Sequence, residues 1–360
     1  MAPDDPVALP PFCSELVRKI DDELDRFVEE QRKASAVEAG LGVVVDELAR
    51  IVEAGGKRLR PLFCCLGHLA AGGEVDDKLI RAASALELLH TFAIVHDDVM
   101  DRSLTRRRQP ASWLHLADEH RREGFRGDAS VFGISAAILV GDLALVLADH
   151  VLLDSGFPAE RLLPALDRYD RMRTEVVSGQ FLDVLAASRG TADEEEARRI
   201  AVRKAGGYTV EGPLQIGALL SAPSEDLLAG LSAYGVPLGE AFQIRDDVLG
   251  VFGEPEETGK DRESDLREGK RTVLLAKAMA AASPEDRAFL EARVGKPGLS
   301  PDEVDRMRGI IEASGALAGT LALVDELAVR AKQAIDPGLI PKYIGDVLVE
   351  MVDFLVTRRA

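Results

Sequence analysis

The chain has 360 residues, 46% apolar and 29% charged, with a formal charge of −18. This balance can bury a large core, and it excludes both a disordered chain and a membrane-embedded composition. Such an acidic surface repels nucleic acid and anionic lipid, 5% aromatics offer few stacking platforms, and three cysteines exclude a disulfide framework or a multi-cysteine zinc site.

Residues 1–12 read as a flexible tail without the basic-then-apolar run of a signal peptide, so a cytoplasmic location is expected. From there the periodicity is helical. Val17, Ile20, Leu24, Phe27 and Val28 form one stripe, with Asp21, Asp22, Glu29 and Glu30 opposite. Cys64 and Cys65 sit in an apolar segment as small buried hydrophobes. Helical patterns follow at 78–101, 159–185, 194–204, 224–252, 301–314, 319–335 and 340–356. Ser283 and Ser300, each before a proline, are good N-caps. The apolar run 131–153 is interrupted by Asp142, Asp149 and His150, and reads as a buried helix rather than a membrane span. Residues 115–130 are polar and read as a surface loop or a frayed helix end. No segment alternates with period two, so no strands are expected. No repeat and no linker appear. The expectation is a single all-α domain over 13–360, with ten or more helices around a central cavity.

The chemistry lies in three groups. His96-Asp97-Asp98-Val99-Met100-Asp101 closes an apolar stretch, and Asp97 and Asp101 share a helical face about 6 Å apart. Gln243-Ile244-Arg245-Asp246-Asp247 sets a second acidic pair into another apolar helix. One such pair can be a solvated helix end. Two are harder to explain structurally, because buried unpaired carboxylates are costly, whereas oxygen-only donors suit Mg²⁺. The third group is basic: Gly55-Gly56-Lys57-Arg58-Leu59-Arg60-Pro61, with Lys57 and Arg60 expected on one helical face, then Arg106-Arg107-Arg108, Lys204, Lys260 and Lys270-Arg271. Any one of these can be a salt-bridge partner. As a set they match a polyanionic, phosphate-bearing substrate.

These motifs resemble the trans-isoprenyl diphosphate synthases (the polyprenyl synthetase family), most nearly those making geranylgeranyl diphosphate. Glu87-Leu88-Leu89-His90, Gly141-Asp142, Gly179-Gln180 with Asp183, Thr258-Gly259-Lys260 and Arg267-Glu268-Gly269-Lys270-Arg271-Thr272 carry the resemblance along nearly the whole chain. It implies an isoprenoid synthase fold, a homodimer and three Mg²⁺ ions per site. Asp97, Asp101 and Asp246 would ligate Mg²⁺, with Asp98 and Asp247 beside them. Lys57, Arg60, His90 and Arg107 would hold isopentenyl diphosphate. Arg106, Lys204, Lys260 and Lys270 would take part in diphosphate binding, the allylic substrate being dimethylallyl, geranyl or farnesyl diphosphate. Gln243 would face the developing allylic cation, and His96 would hold the Asp-bearing helix end. A bulky Phe92 beside the small Ala93, five and four residues before Asp97, goes with a C20 product, the alternative being farnesyl diphosphate.

Three positions depart from the family pattern. Gly250 stands where the second motif commonly ends in Asp, an outer contact through water rather than a direct ligand. Arg108 stands where Gly is usual, and Ala205 where Thr is frequent. Two other readings compete. A class I terpene cyclase would need an Asn-led second motif, and this chain contains no Asn. A non-catalytic subunit of a heteromeric synthase would typically lose Asp ligands, which the first motif here retains.

Overall fold

The computed structural model describes residues 8–36, 40–190, 193–253, 264–296 and 298–357. In chain order the elements are α1 (Pro11–Ser35), α2 (Leu41–Glu53), α3 (Leu59–Ala70), α4 (Asp77–Met100), β1 (Thr105–Arg106), β2 (Gln109–Pro110), α5 (Ser112–Arg122), α6 (Ala129–Leu153) and α7 (Ala159–Arg189). They continue with α8 (Glu194–Ala201), a π-helical segment (Val202–Glu211), α9 (Gly212–Leu219), α10 (Glu225–Phe252), α11 (Ser264–Glu268), α12 (Val273–Ala281), α13 (Pro284–Arg293), α14 (Pro301–Ala313), α15 (Ala316–Gln333) and α16 (Lys342–Val356). The all-α expectation holds, and α1 begins at Pro11, inside the segment expected to be tail.

The described chain packs as two compact units. One holds residues 11–65 and 74–162. In it α4 packs along α6, α5 covers part of α6, and α1 lies against α2 and α4. Asp76 caps α4 by accepting from the Leu79 N–H at 2.9 Å. Arg81 ties the unit together, donating to Glu23 at 2.9 Å and to Asp154 at 2.8 Å. The other unit contains residues 66–73 and 163 onward. Its central element is α10, packed by the π segment and by α15. Ser300 and Glu303 close a reciprocal capping box at the start of α14, and Ser283 caps α13, both as expected.

Four expectations are corrected. First, residues 105–110 form a small antiparallel hairpin, too short for alternation to reveal. Second, residues 112–122 are a regular helix, anchored by buried Leu116, Ala117 and His120. Third, regular α-helix stops at Ala201 and the chain widens into a π segment. Close backbone approaches flank that segment: a Cβ on Gly239 would lie 2.3 Å from the Gly206 carbonyl oxygen, and one on Gly179 would lie 2.4 Å from the Lys204 nitrogen. Fourth, α6 is not a buried helix. Both α4 and α6 have the length and mean hydropathy of a membrane span, but α4 is 72% buried over its most apolar stretch and α6 only 39%.

Candidate active site

The loop before α3 is shaped by glycine. Gly55 and Gly56 have φ of 77° and 153°, and Arg58 adopts φ of 47°. A side chain at Gly56 would stand 2.9 Å from an Arg107 Nη. Arg58 is held in its left-handed conformation by a buried pair with Glu87 at 2.7 Å, by Asp21 at 2.8 Å and by the Val52 carbonyl at 2.7 Å. The helix therefore starts at Leu59, and Lys57 lies before it. Lys57 and Arg60 do not share a helical face, contrary to the spacing argument.

Arg107 reaches the same place from the hairpin turn, donating to the Ile51 carbonyl at 3.2 Å and to Glu87 at 3.5 Å. His90, on α4, records the result. Burial first, and then the positive charges of Arg60, Arg107, Arg106 and Arg58, push its imidazole well below the usual range. It is neutral at physiological pH. Four guanidiniums act on one neutral hydrogen-bonding ring, with Glu87 paired to Arg58 and Arg107 beside them.

Two turns further along α4 come the acidic residues. Asp101 caps the helix, its N–H donating to the Asp97 carbonyl at 2.8 Å. Carboxylates at a helix C-terminus oppose the helix dipole and one another. Arg106 offsets part of this: its Nε donates to both Asp98 oxygens at 3.0 and 3.2 Å, its Nη2 also contacts Asp98, and it stands 3.7 Å from Asp97. Arg106, expected at the allylic diphosphate, thus engages the first acidic motif itself. His96 holds this helix end as expected. Its Nε2 lies 3.0 Å from the Ile138 carbonyl oxygen, and its ring occupies the space a side chain at Gly141 would need. Phe92 packs edge-on against that ring at 4.8 Å.

In the other unit, α10 carries Asp246 exposed and Asp247 buried. Gln243 donates to Asp247 at 2.7 Å. Burial first, then the like charge of Asp265, pushes the Asp247 carboxyl well above the carboxylate range. Lys204, on the π segment, pairs with Asp183 at 2.6 Å. Lys270 pairs with Glu268 at 2.7 Å and lies 3.4 Å from Asp265. Lys260 lies outside the described residues.

Among the described residues no three His, Cys, Asp or Glu side chains form a cage able to hold a metal unaided. The donors of both motifs are carboxylates alone. That fits Mg²⁺, which keeps waters and shares phosphate oxygens instead of filling a closed protein cage.

The family model for polyprenyl synthetase matches residues 43–311, a span containing every one of these groups. The chain belongs to the polyprenyl synthetase family. It is 34% identical over 310 residues to a geranylgeranyl pyrophosphate synthase of Geoglobus acetivorans, covering 85% of this chain and 88% of that protein. It is 32% identical over 311 residues to a (2E,6E)-farnesyl diphosphate synthase of Mycobacterium bovis, covering 85% and 80%. Its fold superposes with a TM-score of 0.91 on a geranylgeranyl pyrophosphate synthase of Corynebacterium glutamicum complexed with isoprenyl diphosphate and magnesium, at 36% identity over 96% of this chain and 99% of that one. As a polyprenyl synthetase the chain presents most of its expected groups on two elements, α4 and α10, plus the hairpin, the loop before α3 and the π segment. Two features escaped the sequence reading: the buried Arg58–Glu87 pair and Asp265. The second stands 18 positions after Asp247 and on a different helix.

Proposed function

We propose that this chain is a Mg²⁺-dependent prenyltransferase that joins isopentenyl diphosphate to an allylic diphosphate and makes geranylgeranyl diphosphate (C20), with farnesyl diphosphate as the alternative product. Asp97, Asp101 and Asp246 hold the metal, three ions in all, with Asp98 and Asp247 beside them. Mg²⁺, when bound, neutralises the allylic diphosphate so that it can depart.

The carbon–oxygen bond of the allylic substrate breaks and the diphosphate keeps the electron pair. The double bond of isopentenyl diphosphate attacks the cation, forming the new carbon–carbon bond. A proton is then lost, and the released diphosphate takes it. Such chemistry needs no nucleophilic side chain. It needs positioning and fixed charge. Lys57, Arg60, His90 and Arg107 grip isopentenyl diphosphate, and the neutral His90 donates a hydrogen bond where a fifth cation would be repelled. Lys204, Lys260 and Lys270 serve the allylic diphosphate, and Arg106 would serve it with them. The amide oxygen of Gln243 is the group offered to the allylic cation.

The observation that carries this reading is the neutral His90 among four arginines, two turns before Asp97 and Asp98 on the same helix and three before its cap Asp101. Arg60→Ala should raise the KM for isopentenyl diphosphate roughly ten- to a hundredfold, the loss of one charge-assisted hydrogen bond. A change confined to the allylic KM would reverse the assignment of the two diphosphate sites.

A second copy of the chain completes this reading. Val131, Leu139, Val146 and Leu153 lie within one arc of α6 and are 57–64% exposed. Asp142 shares the helix and is itself exposed, which disfavours lipid as the cover.

A further inference from the structure

Arg58 stands inside the basic run 55–61, yet its side chain is only 3% exposed. Its donors are taken by the protein: Nε by Asp21 at 2.8 Å, Nη1 by Glu87 at 2.7 Å and Nη2 by the Val52 carbonyl at 2.7 Å. Its φ of 47° is costly for a residue with a Cβ, and such a conformation persists only where the surroundings over-determine it. Three acceptors from three elements do so. Asp21 comes from α1, Val52 from the end of α2 and Glu87 from α4.

Glu87 is 2% exposed and has a second partner, because its Oε1 also lies 3.5 Å from Nη2 of Arg107 on the hairpin turn. Arg107 in turn lies over the backbone of Gly56, where a Cβ would meet its Nη2 at 2.9 Å and its Cζ at 3.1 Å. The loop bearing Lys57 and the turn bearing Arg107 are thus joined through one buried carboxylate. Burial lowers the proton affinity of the Arg107 guanidinium; the charge of Glu87 opposes this and that of Arg58 adds to it. Asp21 precedes residues 43–311, the span matched by the family model, so α1 supplies a contact from outside that span.

We propose that Asp21, Arg58 and Glu87 are positioning residues, a chain of charges from α1 that fixes the Lys57–Arg60 loop against Arg107 before isopentenyl diphosphate arrives. They act by preorganisation, so the anion need not order the loop and the turn as it binds. This deepens the prenyltransferase reading above and rests on it.

Positioning and net charge differ in sign here. Glu87 and Asp21 are negative, so through the field alone the removal of either charge would tighten a bound diphosphate. Through positioning, removal weakens it. The test is the KM for isopentenyl diphosphate in Glu87→Gln and Asp21→Asn, with the allylic KM, kcat and the melting temperature measured alongside. Both variants keep the shape and an acceptor oxygen. Glu87→Gln should raise the isopentenyl KM roughly tenfold, as when a buried charged hydrogen-bond partner is lost. Asp21 is 42% exposed, so Asp21→Asn should keep the fold. It should raise the same KM by about threefold, in line with a partly solvated ion pair. The allylic KM should not move. An isopentenyl KM that is unchanged or lowered in the folded variants would overturn the inference, as would equal rises in both KM values. Arg60→Ala separates the two levels. If it raises the isopentenyl KM while Glu87→Gln and Asp21→Asn do not, only the positioning chain falls. If none of the three raises it, the assignment of the isopentenyl diphosphate site falls as well.

Discussion

A charge on Asp247 is unfavourable in the metal-free protein. Burial and the facing Asp265 raise its proton affinity, and one hydrogen bond from Gln243 does not reverse this. A carboxyl whose folded affinity is raised contributes stability below the ordinary carboxylate range and loses it as pH climbs through the folded value. Asp247→Asn should therefore leave acid stability unchanged and raise the melting temperature increasingly above about pH 4. Parallel melting curves across pH, measured with a chelator present, would contradict this. Product length also resolves at single residues. Phe92 is fixed by its packing on His96, which the Ile138 carbonyl and Gly141 fix in turn. Mass analysis should find longer products from Phe92→Ala and shorter ones from Ala93→Phe, and unchanged products from both active variants would remove the basis for C20. At this scale the acidic pairs were legible because charges inside apolar helices stand out. Asp265 was not, because only folding brings it to face Asp247.

Regular helices with side-chain caps were equally legible, as Ser283 and Ser300 illustrate. Elements whose cause lies elsewhere in the chain were not. Nothing within residues 202–211 announces a π segment; glycines of α7 and α10, distant in sequence, make the close approaches. The hairpin carries its own explanation. Arg107 and Arg108 both have positive φ, 52° and 62°, as two-residue hairpin turns of the primed types demand. Arg107 is retained there by its contacts with Ile51 and Glu87. Arg108 occupies the place where glycine is usual in the family, and the left-handed region disfavours it. Arg108→Gly should stabilise the protein by up to about 1 kcal/mol, after the entropy lost by glycine on folding is subtracted. That is at most about 2 °C in a thermal melt. A lower melting temperature would show that the Arg108 side chain contributes more than its backbone conformation costs.

For the whole molecule, composition indicated a large core and periodicity a helical protein, but the apolar run of α6 was taken for burial. Its exposed apolar stripe is the surface proposed to meet a second copy. Leu139→Glu should shift the mass in light scattering from dimer to monomer, and an unchanged dimer would place the interface elsewhere. The central claim, condensation of two diphosphates under the control of the first acidic motif, is tested most directly by product mass. The purified chain is given isopentenyl diphosphate with dimethylallyl, geranyl or farnesyl diphosphate, with Mg²⁺ or with a chelator, alongside Asp97→Ala. The predicted result is a C20 diphosphate that requires Mg²⁺ and is nearly abolished in an Asp97→Ala protein that remains fully folded. Absence of any condensation product from the wild type, or equal product from Asp97→Ala, would contradict the account.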